Sequence, residues 1–178
     1  MVGCVIGFPA GNSAIAVKVF EAENACKDGA VEIDMVINIG KALQSDWTYI
    51  TEEIKSVSDA CHQHGAMVKV IFETDYVTKE ADIVKLCRIC TEAGADYVKT
   101  SSGFGFVKQA NGDYNYVGAT IPILELMKKS VGPKVKVKAA GGVRTLDQLI
   151  AVQAAGCTRS GATATITMME DAVKRFGN

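Results

Sequence analysis

The strongest constraint on the fold is a junction that recurs five times. An amphipathic run closes on glycine, and a short β-rich run follows directly. The junctions are Gly29-Ala30 before 31–37, Gly65-Ala66 before 67–72, and Gly94-Ala95 before 96–99. Gly132-Pro133 precedes 135–138, and Gly156-Cys157 precedes 158–161. Glycine just past a helix accepts the left-handed conformation that ends it. The junctions recur every 24 to 38 residues, the size of one strand-plus-helix unit. Such alternation implies a parallel sheet with right-handed crossovers and helices on its outer face.

Six strands are predicted, near 2–8, 31–37, 67–73, 96–101, 134–139 and 158–162. Helix starts agree with them. Thr145-Leu146-Asp147-Gln148 reads as a capping box, and Thr120-Ile121-Pro122 as a cap followed by a first-turn proline. Ser13, Asp46 and Thr78 are the expected caps of three earlier helices, and a last helix is expected near 167–176. The segment 103–119 is the longest irregular stretch. Its glycines and Asn111-Gly112-Asp113 predict a loop or small hairpin.

With 178 residues and 48% hydrophobic content, one globular domain spanning 1–178 is expected. The net charge is −1 and no basic patch exists, so nucleic acid is not an expected partner. The six cysteines are dispersed in a chain large enough to fold on an apolar core, which argues against a disulfide framework. Cys87-Arg88-Ile89-Cys90 lies mid-helix with no second pair at zinc-ligand spacing, so no metal is expected. Residues 1–9 lack the basic start of a signal peptide, and no apolar run is long enough to span a membrane. A cytoplasmic location is therefore the default expectation.

Three ionisable groups fall near strand C-terminal ends: Asp34, Lys99 and Lys138. In a parallel αβ sheet those ends and the loops beyond them form the site. Asp34 and Lys99 each lie five residues past their helix-closing glycine, and Lys138 lies six past Gly132. That matching depth predicts one layer of side chains. Lys69 shares the pattern lower on its strand, and Lys136 has the parity to enter the barrel bottom. Taken alone, Lys99 also reads as a solvated edge-strand charge. The second lysine decides against that reading. Burial or a neighbouring cation depresses an ammonium pKa and frees an amine that attacks carbonyls. A carboxylate with a bound water can then relay protons, a role open to Asp34. Gly141-Gly142, ahead of a capped helix, and Gly161-Ala162-Thr163, after the last strand, predict an anion site. Glu73 reads equally as a site carboxylate or as a strand end facing solvent. His62 and His64 flank a helix end and read as solvated.

The motifs Gly7-Phe8-Pro9-Ala10-Gly11, residues 32–38, residues 70–74, residues 95–103 and residues 137–145 together resemble deoxyribose-phosphate aldolases. The resemblance implies a (β/α)8 TIM barrel and a metal-independent class I aldolase with no cofactor. Its reaction would be reversible cleavage of 2-deoxy-D-ribose 5-phosphate to D-glyceraldehyde 3-phosphate and acetaldehyde. By that likeness Lys99 matches the Schiff-base lysine, Lys138 the lysine that perturbs it, and Asp34 the proton-relay aspartate. Lys69 matches a further lysine of the polar layer and is counted with the substrate-binding positions. Ser102, Gly141, Gly142, Gly161 and Thr163 match substrate- and phosphate-binding positions, although the last loop is less serine-rich than the family's. The chain begins at what looks like the family's third strand, so six of eight βα units are expected. Two open edges make a homo-oligomer the expected state. A truncated, non-catalytic homologue that binds a sugar phosphate or a partner is the alternative. Another phosphate-binding barrel would account for the glycine loops but not for the two lysines and the aspartate.

Overall fold

The computed structural model describes residues 1–177. Six strands form one parallel sheet: β1 (Gly3–Ile6), β2 (Glu32–Val36), β3 (Met67–Ile71), β4 (Tyr97–Lys99), β7 (Lys136–Ala140) and β8 (Arg159–Gly161). Their order in space is their order in sequence, so β1 and β8 are the edges. Seven helices accompany them: α1 (Ile15–Lys27), α2 (Ile39–Leu43), α3 (Trp47–Gln63), α4 (Glu80–Glu92), α5 (Ile121–Ser130), α6 (Leu146–Ala154) and α7 (Thr165–Phe176). Between β4 and α5, β5 (Val107–Lys108) and β6 (Tyr114–Asn115) make the predicted small hairpin.

The sheet is curled into a half-barrel. Glu32 on β2 and Arg159 on β8 are four strands apart, about 19 Å across a flat sheet. Their side chains nevertheless meet at 2.6 Å. Strand alternation then sorts the two faces. Ile33, Met35, Val68, Val70, Val98, Val137 and Ala139 are buried in the apolar core, with Ile50, Ile54, Ile83, Leu86, Leu124 and Met127 of the helices. The alternate residues, Glu32, Asp34, Lys69, Lys99, Lys138 and Arg159, meet in ion pairs on the concave face. A polar interior is stable only because these charges neutralise one another.

Two helix starts follow the sequence. Asp46 caps α3, accepting from the Tyr49 N–H at 3.2 Å, and the Thr145–Gln148 capping box forms. Others do not. Ala14, not Ser13, precedes α1, and Lys79, not Thr78, precedes α4; neither makes a side-chain cap. Thr120 precedes α5 but its hydroxyl caps nothing, and α7 starts two residues earlier than expected, at Thr165. Gly29, Gly65, Gly94 and Gly156 have positive φ, as the junction argument requires, but Gly132 does not. Its role is packing: its N–H donates to the Thr91 hydroxyl, and a Cβ there would stand 2.5 Å from the Thr91 methyl. Lys136 does not enter the interior; it is exposed, with its Nζ 5.9 Å from the Tyr97 ring centre. His62 is half exposed and bonds Asp96 at 2.9 Å.

One feature of the helical layer has no sequence signature. Lys18 of α1 and Glu53 of α3 are both fully buried and meet at 2.6 Å. The Lys18 ammonium also donates to the carbonyls of Gly11 and Val36 at 2.7 Å. Glu53 accepts the Asn38 N–H at 2.9 Å. Burial pushes the Lys18 pKa down and the Glu53 pKa up, so each charge is sustained by the other.

Candidate active site

Asp34 is the hub of the concave face. One carboxylate oxygen accepts the Lys69 ammonium at 2.7 Å. The other accepts Lys99 at 2.8 Å and Lys138 at 2.7 Å. The register explains who meets whom. Lys99 is level with Lys138, and Asp34 is level with Lys69 one layer below. So the predicted trio does converge, but across two layers bridged by the Asp34 carboxylate. Lys69 belongs to this hub: it also pairs with Glu32 at 2.7 Å and does not line the glycine-lined cavity described below.

The electrostatics follow from the geometry. Burial works against the charge on Asp34, but Lys99, Lys138 and Lys69 outweigh it and hold the carboxyl well below the usual range. For Lys99, burial is the main force pushing the amine pKa down. Asp34 opposes that shift, while Lys138 and Lys69 add to it. Of the two causes the sequence offers, burial and a neighbouring cation, burial is the larger.

The Asp34 shift has a sign that can be checked. A carboxyl with a lowered folded pKa contributes stability above its unfolded pKa and loses it as pH falls toward the folded one. Resistance to urea unfolding is therefore expected to fall from about pH 5 downward. In Asp34→Asn this acid limb is expected to be shallower. An unchanged slope in the variant would mean that other carboxyls carry it.

Beyond the strand ends lies a cavity of about 340 Å³. Lys99, Ser102, Gly103 and Phe104 line it together with Gly141, Gly142, Gly161 and Thr163. All the glycine-loop positions picked out in the sequence therefore share one space with Lys99. Gly141 and Gly142 both have positive φ, which a side chain would strain. Arg144 and Tyr116 line the same cavity. Sequence reasoning gave them no role, although Arg144 directly follows the glycine pair. A larger cavity of about 450 Å³, between α6 and the β8 edge, contains none of Asp34, Lys99 or Lys138.

Glu73 is resolved between its two readings. It is 1% exposed, so it does not face solvent. Its carboxylate accepts the Ser102 N–H at 3.3 Å and the Ser102 hydroxyl. Ser102 thus stands on the cavity wall with its hydroxyl held from behind.

A desolvated amine, a neighbouring ammonium, a carboxylate between them and a glycine-lined cavity are what amine-nucleophile chemistry on an anionic carbonyl compound needs. Comparison with known proteins gives the family. The deoxyribose-phosphate aldolase of Thermococcus gammatolerans is 48% identical over 171 residues, 96% of this chain and 71% of that protein. A crystal structure from Coccidioides immitis, assigned as a deoxyribose-phosphate aldolase, superposes with a TM-score of 0.85 at 36% identity. The match covers 96% of this chain, which spans 64% of that one. The tetrameric deoxyribose phosphate aldolase of Aeropyrum pernix gives 0.81 at 26% identity, over 97% of this chain and 68% of that one. The DeoC/LacD family aldolase model matches residues 1–170, and the chain belongs to that family.

Proposed function

We propose that the chain is a Schiff-base-forming aldolase acting on 2-deoxy-D-ribose 5-phosphate. The observation that carries this reading is the Lys99–Asp34–Lys138 contact at the mouth of a glycine-lined cavity. In the cleavage direction, the neutral Lys99 amine attacks the C1 aldehyde of the open-chain sugar. Loss of water gives a protonated imine. The C3 hydroxyl then gives up its proton and the C2–C3 bond breaks, its electron pair moving into the imine. Glyceraldehyde 3-phosphate leaves, and an enamine stays on Lys99. Protonation at its terminal carbon and hydrolysis release acetaldehyde and restore the amine.

Each group has a part in that cycle. Lys138 keeps a positive charge near Lys99 and disfavours its protonation. Asp34, held ionised, accepts from both ammonium groups and relays protons through a bound water. Gly141, Gly142, Gly161 and Thr163 hold the phosphate with backbone amides and a hydroxyl, and Ser102 stands where the sugar passes. Lys69 balances the charge of Asp34 from below. The barrel is proposed to lack two of eight βα units in this chain, with β1 and β8 as its open edges. The tetrameric relative supports an oligomeric state. Among the described residues no helix is long and apolar enough to cross a membrane.

The test is covalent capture. Acetaldehyde and borohydride are expected to leave one reduced adduct, mapped by mass spectrometry to Lys99. An adduct on Lys138 alone would overturn the role assignment, and no adduct would overturn the mechanism. The capture rate should also rise with pH and level off below the range of an ordinary lysine. In Lys138→Leu that rise is expected to move to higher pH, since one depressing charge is gone. A midpoint that stays put would leave burial and Lys69 as the operative causes.

A further inference from the structure

Two carboxylates in the β3–α4 connection grip the two ends of the 103–119 segment. Glu73 holds the first end through the N–H and hydroxyl of Ser102, three residues after Lys99. Its backbone is left-handed, φ 56°, an uncommon state for a residue with a side chain. The fit is close, because a Cβ on Gly105 would stand 2.7 Å from the Glu73 carboxyl carbon. Asp75 holds the other end. It accepts the Val117 N–H at 2.5 Å and the Gly118 N–H at 3.0 Å.

That second end rests on the anion loop. Ala119 donates its N–H to the Gly141 carbonyl at 3.0 Å. A Cβ on Gly118 would lie 2.6 Å from the Gly141 carbonyl carbon, so the two backbones touch. A Cβ on Gly142 would meet the Val117 carbonyl at 3.1 Å. Between the two grips, Phe104 and Phe106 pack edge to face at 6.5 Å, and Phe106 and Tyr116 at 5.7 Å. Phe104 and Tyr116 line the cavity.

We propose that Glu73 and Asp75 are positioning residues that set the 103–119 segment between the Lys99 amine and the Gly141-Gly142 loop, Asp75 thereby fixing the preference for a phosphorylated aldehyde. The inference rests on the aldolase reading above. Its logic is a division of labour. Glu73 acts on the segment's Lys99 end, where every substrate reacts. Asp75 acts on its anion end, which only a phosphorylated substrate reaches. A carboxylate suits both places, since each accepts two donors and an amide would leave one of them facing an N–H.

The experiment uses Asp75→Asn and Glu73→Gln, with acetaldehyde as donor and D-glyceraldehyde 3-phosphate or D-glyceraldehyde as acceptor. In Asp75→Asn the ratio of kcat/KM values, phosphorylated over unphosphorylated, is expected to fall about tenfold, through KM. The Kd for D-glyceraldehyde 3-phosphate without acetaldehyde should weaken in proportion. Glu73→Gln should lower kcat on both acceptors alike. An unchanged ratio in Asp75→Asn, or equal loss on both acceptors there, overturns the proposal. Asp75 is half-buried at the surface, so its replacement is compatible with folding. Failure of the aldolase reading shows separately, as absence of a borohydride adduct on Lys99 in the parental chain. The Kd comparison then still decides the role of Asp75.

Discussion

Lys99→Leu is expected to abolish the borohydride adduct and to reduce turnover by roughly four orders of magnitude or more, above about 5 kcal/mol of transition-state stabilisation. The size follows from the chemistry. Among the described residues Lys138 is the only other ammonium on the same Asp34 oxygen, and it is the more exposed of the two. It is less enclosed than Lys99, whose pKa burial pushes down, so it is a poor substitute. The fold should survive. Leucine at 99 removes a cation that burial already disfavours, and Asp34 keeps Lys69 and Lys138 as partners. Binding of D-glyceraldehyde 3-phosphate should therefore persist within a few-fold, since the glycine loops are untouched. Loss of binding together with a cooperative unfolding transition shifted far down would make Lys99 structural and sink the assignment.

That variant also separates what the sequence made legible from what it did not. Five glycine junctions are local signals, and each places one strand. Strand placement then fixes register to within a residue or two, so Asp34, Lys99 and Lys138 could be brought together on paper. The same reasoning could not find the step between layers. Equal spacing from a glycine is not equal height in a staggered, curled sheet. Asp34 lies level with Lys69, and only its side chain reaches the Lys99–Lys138 layer. Lys69 was accordingly grouped with substrate-binding positions, whereas its ammonium lies between Asp34 and Glu32.

Other features are tertiary by nature. The short helix α2 has no amphipathic period to announce it, and its one cap is the Asn38 side chain accepting the Lys41 N–H. Glu73 looks like any carboxylate at a strand end. Its burial depends on Ser102 and Gly105 returning over it from β4, 29 and 32 residues later. The half-barrel edges are legible as a strand count, but the exposed apolar row of α7, Ile166, Met169 and Val173, is visible only once the helix is placed.

The second large effect lies far from the chemistry. Lys18→Met is expected to cost about 3–5 kcal/mol of stability, a fall in Tm on the order of 10 °C. The variant leaves Glu53 buried without its cation and deprives the Gly11 and Val36 carbonyls of a donor. An orphaned buried carboxylate must either protonate or draw in water, and both loosen the contact between α1 and α3. The double variant Lys18→Met, Glu53→Leu is expected to recover part of the loss and not all of it. It removes the stranded charge, but the Asn38 N–H then has no acceptor and the two carbonyls stay unpaired, at about 1–3 kcal/mol each. Val36 ends β2 two residues after Asp34, so the anchor also reaches the site. Some decline in kcat should accompany the lost stability, smaller than that of any change at Lys99. Chemical denaturation of the two variants beside the parent decides the matter. A single variant within about 1 kcal/mol of the parent would show that water reaches Glu53 in solution and that the pair is not sealed.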